Sequence, residues 1–324
     1  MPKAIVLQQH GGPEVLELAE VDPGPPAEGE LQVEHTAIGV NYIDVYDRTG
    51  LYPTTPPTGI GREAAGIVTA LGRKVRGFRV GERVAYVHSK PGAYAQVRNV
   101  PAERVVKVPK GISDGEAAAL MLKGLTAHYL LRRTYRVRRG ETILVHAAAG
   151  GVGLILSQWA RALGARVIGV VGSDAKAELA RKHGCHTVLI SGRDDVVASV
   201  KQLTKGAGVP VVYDSVGKDT FMESLDCLRP LGMMVTYGNA SGPPPPVSPL
   251  ELSKRGSLYL TRPTLFDYIA TRPALESAAR ELFAAVKAKQ VRVRIGQRYA
   301  LADAAEAHRD LEARRTTGST ILVP

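Results

Sequence analysis

The run His146-Ala-Ala-Ala-Gly-Gly-Val-Gly153 has the composition of an anion cradle. Alanine and glycine let backbone approach a ligand closely, and a helix that starts there turns its unpaired N–H groups and positive dipole end toward it. A pyrophosphate is the natural guest. Farther along stand Gly172, Ser173 and Lys176, at about the twenty-residue distance where many dinucleotide sites place an acid that accepts from the ribose 2′-hydroxyl. A hydroxyl with an ammonium suits a 2′-phosphate, which a carboxylate would repel. Asp174 is expected at the start of a helix, facing away from the ligand and compensating the dipole.

These residues need a strand before them and a helix after. Residues 141–145 read as a buried strand, 154–163 as a helix, Gly164 as its C-cap and 165–171 as a second strand. That β-α-β unit makes the glycine pattern specific, although its G-G-x-G spacing departs from the common G-x-G-x-x-G. Strands and helices go on alternating, with further buried strands at Thr187–Ile190, Val209–Asp214, 233–238 and 258–261. The pattern predicts a doubly wound parallel sheet, followed after its fifth strand by a rigid loop at Pro243 to Pro246.

The first third reads differently. Short strands at 3–7, 17–21 and 31–38, and in the runs opening at Gly59, Gly81 and Gly92, suggest a small barrel with little helix. Ser113-Asp-Gly-Glu116 fits a capping box ahead of helical patterns at 117–122 and 126–133. The last section reads as helix 274–290, strand 291–295, helix 301–314 and strand 319–323. We therefore expect domains at 1–124 and 125–262, with 263–324 returning to the first.

Composition narrows the function. A chain of 324 residues, 44% hydrophobic and 23% charged, is that of a folded two-domain protein. No apolar run is long enough to span a bilayer and Met1-Pro2-Lys3 opens no signal-like core, so the expected address is the cytoplasm. Cys185 and Cys227 have no metal-ligand spacing and read as reduced thiols, with a disulfide between them left open. His183-Gly-Cys185-His186 reads as a helix end, where the dipole favours histidine, and not as a metal site. The net charge of +11 raises nucleic acid as a partner. The densest basic run, Arg132 to Arg139, carries no interleaved stacking aromatics, and aromatics are only 5% of the chain. A solvated basic face that attracts anionic cofactors is the better reading.

The layout resembles the medium-chain dehydrogenase/reductase superfamily, and within it the zinc-independent quinone oxidoreductases of the zeta-crystallin type. The residues that carry the resemblance run the length of the chain: Gly59-Ile-Gly-Arg-Glu-Ala-Ala-Gly, Leu122-Lys-Gly-Leu-Thr126, the His146 to Gly153 turn with Gln158, Val212-Tyr-Asp-Ser-Val-Gly217, Gly238-Asn239 and Thr261-Arg-Pro263. The resemblance implies an α/β fold, a GroES-like β-rich catalytic domain joined to a Rossmann domain, that binds NADP(H). It places Asn41, Lys123 and Thr126 near the nicotinamide half, and Ala149, Gly150, Gly151 and Val152 on the pyrophosphate. Ser173, Lys176 and Arg314 fall at the 2′-phosphate end, and Val216, Tyr237 and Asn239 along the rest of the groove. Relatives often carry a Tyr near Ser191 that helps with the 2′-phosphate, so its loss weakens the NADP preference. Zinc alcohol dehydrogenases share the superfamily, but their ligand positions correspond here to Asn41 and Arg62, and the first domain has no cysteine. No metal is expected.

Chemistry then falls to the cofactor. A quinone suits hydride transfer because it is already electrophilic, and the resemblance makes Tyr46 and Tyr52 substrate-cleft residues that could donate to its oxygens as charge develops. Asp44 reads as a turn or hydrogen-bonding residue. The expected activity is NADPH:quinone reduction, catalysed with Tyr46, Tyr52 and Asn41, on a small hydrophobic quinone or related electrophile. Its rivals are NADPH-dependent reduction of an enone or enoyl double bond and, of another class, a nucleic-acid-binding or structural protein that keeps an NADPH site. Ser257 to Thr261 reads as a sheet edge, and the resemblance implies that two such edges pair in a homodimer.

Overall fold

The computed structural model describes residues 1–324. It divides into two compact units, Met1–Leu125 with Tyr268–Lys287 and Val293–Pro324, and Thr126–Asp267 with Ala288–Arg292.

In the first unit the long strand Glu30–Val40 is the hub. It pairs antiparallel with Glu63–Leu71, Val97–Pro101 and Ser319–Val323. The sheet is extended by Arg83–Val87, Val105–Lys107 and Ile295–Ala300, and a smaller sheet joins Lys3–Leu7 to Leu16–Glu20 and Thr58–Gly59. Leu31 and Val33 point inward before the register shift at His35/Ala37 and Ile38 and Val40 after it, and together they meet Ile5, Val68 and Tyr86 in one core. Gly66 is required where two strands nearly touch, since a Cβ there would lie 2.0 Å from the Glu34 carbonyl oxygen.

The second unit is a six-stranded, wholly parallel sheet. Its spatial order is Thr187–Ile190, Arg166–Val171, Thr142–Val145, Val209–Asp214, Leu228–Thr236, Tyr259–Thr261. In chain order this is 3-2-1-4-5-6, a doubly wound sheet with its switch point between Thr142–Val145 and Val209–Asp214, beside the glycine-rich turn. Helices such as Gly151–Ala162, Asp174–Lys182 and Val196–Leu203 cover the strands. With both faces covered, the strands run as near-continuous apolar sequence. Val209–Asp214 is buried at every position.

Four local expectations change. The first unit contains a helix, Tyr42–Thr49, capped by Asn41 and closed by Gly50 in the left-handed region at φ 77°, where little helix was expected. The two helical patterns after Ser113 form one helix, Asp114–Tyr129, that ends in a π-helical turn Leu130–Thr134. The run from Gly92 is loop, tied to Lys3–Leu7 through a single bridge at Ala95. The strand expected at 291–295 lies instead at Ile295–Ala300. The alternating Val291-Arg-Val-Arg segment is held by the Gln158 side chain, which donates to the Arg292 carbonyl (3.1 Å) and accepts from the Arg292 N–H (3.0 Å). That pair of bonds replaces a strand neighbour. Cys185 and Cys227 are buried free thiols, and no helix is long and apolar enough to cross a membrane.

Candidate cofactor and substrate site

In the second unit the turn after Thr142–Val145 is tight. Ala147 takes φ 50°, the Gly150 N–H donates to the Ala147 carbonyl at 2.9 Å, and the Ala148 N–H reaches Val170 in the next strand. Gly150 caps helix Gly151–Ala162, whose first helical bond is Leu154 N–H to Gly150 (2.9 Å). The N–H groups of Gly151, Val152 and Gly153 thus precede the helical ladder and point outward. A Cβ on Gly153 would lie 2.3 Å from the Ala147 oxygen, so glycine there lets the helix tuck under the turn. A diphosphate fits this cradle, with Ala149, Gly150, Gly151 and Val152 around it.

The neighbouring strand ends gather the next group. Ser173 caps helix Asp174–Lys182 by accepting from the Lys176 N–H (3.4 Å), which leaves its hydroxyl proton free to donate. A Cβ added to Gly172 would meet open space. Asp174 is exposed and paired with Arg193 at 2.9 Å. Ser191 is drawn alongside by its N–H bond to Val171 (2.8 Å). Ser173 and Lys176 thus open one helix, and Ser191 follows the strand paired beside the one that leads into it.

Across the switch point Asp214 shapes the remaining wall. One carboxylate oxygen accepts from the Val216 (2.7 Å) and Gly217 (3.2 Å) N–H groups. The other accepts from the Thr220 (2.7 Å) and Ser224 (2.9 Å) hydroxyls, and His146 stands 3.0 Å behind Ser224. Burial holds the His146 imidazole below its ordinary pKa. The Tyr237 N–H donates to the Asp214 carbonyl (2.7 Å), and Ser241 and Gly242 lace the Val216 and Asn239 loops together. Burial pushes the Tyr237 hydroxyl up to about 12, so it stays protonated. Thr126 is buried on the helix with which this unit begins.

In the first unit Asn41 and Lys123 meet through a residue not singled out from the sequence. Glu63 is wholly buried; its Oε1 accepts from Asn41 Nδ2 (2.8 Å) and Lys123 Nζ (3.1 Å), and its Oε2 from the Leu122 N–H. Lys123 also donates to the Val40 carbonyl at 2.9 Å. Gly39 makes room, since a Cβ there would sit 2.2 Å from Glu63 Oε1. The small residues flanking Arg62-Glu63 in Gly59-Ile-Gly-Arg-Glu-Ala-Ala-Gly were the available signal that this acid is buried.

Tyr46 sits on helix Tyr42–Thr49 and is only 6% exposed. Its ring centre lies 5.0 Å from that of Tyr52 and 5.5 Å from that of Tyr42, so the pair expected from sequence is a cluster of three. Arg314 lies on the turn after helix Ala304–Glu312, at φ 60°, where its charge acts on Tyr42. Behind the cluster runs a buried polar chain. Asp44 Oδ2 accepts from the Asn41 N–H (2.8 Å) and the Tyr94 hydroxyl (2.9 Å), Tyr94 meets His308 (3.1 Å), and His308 meets Arg48 (3.2 Å). Arg48 is clamped by Glu312 through two bonds of 2.8 Å. Asp44 Oδ1 has no hydrogen-bond partner. Burial first, then the neighbouring Asp47, raises the Asp44 carboxyl to about 7. Burial takes His308 down to about 3.

The two positions that correspond to zinc ligands are otherwise engaged. Asn41 serves Glu63, and the Arg62 guanidinium grips Asp47 through bonds of 2.8 and 2.6 Å. A guanidinium repels a cation and cannot ligate one. No group of three or more His, Cys, Asp or Glu side chains is arranged to hold a metal ion.

A β-rich unit and a doubly wound nucleotide-type unit in one chain define a two-domain dehydrogenase. The family models agree: residues 27–110 match the alcohol dehydrogenase GroES-like domain and 151–284 the zinc-binding dehydrogenase domain. The quinone oxidoreductase of Pseudomonas aeruginosa is 52% identical over the full length of both chains. A 2-haloacrylate reductase from a Burkholderia species is 46% identical over 100% of this chain and 99% of its own. The crystal structure of Escherichia coli quinone oxidoreductase complexed with NADPH superposes with a TM-score of 0.98 at 49% identity, covering 99% of this chain and 100% of that one. The chain belongs to the quinone oxidoreductase family of the zinc-independent medium-chain dehydrogenases/reductases.

Proposed function

We propose that this chain is an NADPH-dependent, zinc-independent quinone reductase. The observation that carries the cofactor choice is the set Ser173, Lys176 and Ser191, which offers hydroxyls and an ammonium where an NAD site offers a carboxylate. The E. coli relative solved with NADPH supports the same choice. When bound, the cofactor supplies a hydride equivalent from its dihydronicotinamide ring. The N–H groups of Gly151 and Val152, with Ala149 and Gly150, hold the pyrophosphate. Ser173, Lys176 and Ser191 take the 2′-phosphate, and Val216, Tyr237 and Asn239 line the groove. Asn41, Lys123 and Thr126 orient the nicotinamide end.

Tyr46 and Tyr52 donate hydrogen bonds to the acceptor oxygens as negative charge develops there. Glu63 is fully occupied by Asn41, Lys123 and Leu122, so it positions and does not act as a base. An acceptor that is already electrophilic, a small hydrophobic quinone, fits chemistry of this kind. The similarity to a 2-haloacrylate reductase favours a second reading, reduction of an activated carbon-carbon double bond. Two buried free thiols suit the reducing cytoplasm, and the edge strand Tyr259–Thr261, with Tyr259 57% exposed, suits pairing into a homodimer. Nucleic acid has no place in this reading.

The test is loss of nicotinamide absorbance on crossing NADPH and NADH against an ortho-quinone, a para-quinone and a simple enone, with and without chelator. Chelator-insensitive, NADPH-dependent quinone reduction is expected. Turnover of the enone alone moves the substrate to the second reading. Silence with every acceptor despite NADPH binding overturns the enzymatic reading.

A further inference from the structure

The first unit also contains a groove that shares no lining residue with the candidate site. Helix Arg272–Lys287, strand Val105–Lys107 and the loop at Arg76, Gly77 and Phe78 enclose about 800 Å³. The volume is that of a small-molecule site. Its floor is apolar: Phe78 and Phe283 are 8% and 6% exposed, with Val106 and Pro109 beside them.

Its rim is cationic. Arg76, Lys107, Arg272, Arg280 and Lys287 face two carboxylates, Glu103 and Glu276, and both acids are already paired, with Arg104 at 3.2 Å and Arg272 at 2.7 Å. Arg272 is also fixed by donating to the Ala102 and Val105 carbonyls. Its guanidinium carbon lies 5.4 Å, and the Lys107 ammonium 5.7 Å, from the centre of the Phe78 ring. Arg76, Arg280 and Lys287 are exposed and have no carboxylate partner. On the helix Arg272, Glu276, Arg280, Phe283 and Lys287 follow one another at spacings of three or four, so the free cations and the aromatic floor share a face.

We propose that this groove binds an amphipathic organic anion: an alkyl or aryl body lies on Phe78, Val106 and Phe283, and a carboxylate, sulfate or sulfonate head meets Arg280, Lys287 and Arg76. An inorganic anion has no use for the aromatic floor, and a neutral hydrocarbon has none for three unpaired cations. The inference does not rest on the oxidoreductase reading, and its test reads binding and not turnover.

The experiment is calorimetric titration of the full chain with decanesulfonate, with decanol as the neutral control, for the wild type, Arg280→Glu/Lys287→Glu and Ala284→Trp. Residues 280, 284 and 287 are exposed, so melting curves should match the wild type. We expect saturable binding of the sulfonate that weakens with salt, and at least about tenfold weaker binding of decanol. The charge-reversed variant should lose about tenfold or more and Ala284→Trp should lose binding by filling the groove. Absence of binding at millimolar sulfonate, unchanged affinity in both variants, or equal affinity for decanol overturns the proposal.

Discussion

Lys123 Nζ lies 3.1 Å from Glu63 Oε1, in an ion pair whose side chains are 8% and 0% exposed. Removing one partner of so buried a pair leaves the other charge uncompensated. Glu63→Gln should therefore destabilise the protein by about 3 to 5 kcal/mol, and Glu63→Gln with Lys123→Met should recover much of the loss. Denaturant titration of the two variants checks this; a wild-type midpoint for Glu63→Gln would show that the pair holds nothing.

Tyr46 and Tyr52 stand with ring centres 5.0 Å apart. Replacing both with Phe keeps their packing and removes two donors. Turnover with a quinone should fall by about tenfold or more, and NADPH affinity should change little. Steady-state kinetics with equilibrium NADPH titration separates the two, and unchanged turnover removes the tyrosines from the mechanism.

Lys176 follows the capping Ser173 on helix Asp174–Lys182. Lys176→Glu should lower kcat/KM for NADPH by about tenfold to a hundredfold, the worth of a charge-assisted bond, and leave NADH nearly unaffected. An equal loss with both cofactors would move the 2′-phosphate elsewhere.

Asp44 gives a pH signature. Its carboxyl is raised from 3.8 to about 7 in the folded chain, so the native state binds more protons than the unfolded state in that window. Its contribution to stability is present below pH 3.8 and is lost as pH climbs through about 7. Asp44→Asn removes that loss, so its stability relative to the wild type should rise between about pH 4 and 7 and then level off. His308, lowered to about 3, slopes the other way in both proteins and cancels in the difference. Denaturation at pH 4.5, 6 and 7.5 checks the sign, and a flat difference refutes it.

Tyr259 and Leu260, 57% and 39% exposed on the last strand of the parallel sheet, should be the dimer contact. Tyr259→Lys or Leu260→Glu should give monomers in sedimentation equilibrium; an intact dimer places the contact elsewhere.

The parallel sheet was legible because strands covered on both faces must be apolar throughout, as Val209–Asp214 is, and because glycines and alanines mark the turn where helix Gly151–Ala162 begins. Helix Tyr42–Thr49 was not. Eight residues rich in tyrosine and β-branched side chains have weak helical preference, and the helix is set by its ends, where the Asn41 N–H donates to Asp44 and Gly50 turns left-handed. Strand Ile295–Ala300 was misplaced because Val291-Arg-Val-Arg alternates as a strand does, while the Arg292 N–H and carbonyl bond to the Gln158 side chain. The role of Glu63 lay beyond any local pattern. It depends on Gly39, Asn41 and Lys123, which meet it only in three dimensions.

Strand Glu30–Val40 has Ser319–Val323 as a neighbour, with Ile321 opposite Gly39, so two strands that touch are made far apart in translation. The parallel sheet between them needs only residues 126–267 and 288–292. On the ribosome the middle of the chain can therefore complete its fold before the beginning can. The first 125 residues emerge early and wait, with the long hub strand lacking one of its three neighbours until Ser319–Val323 follows.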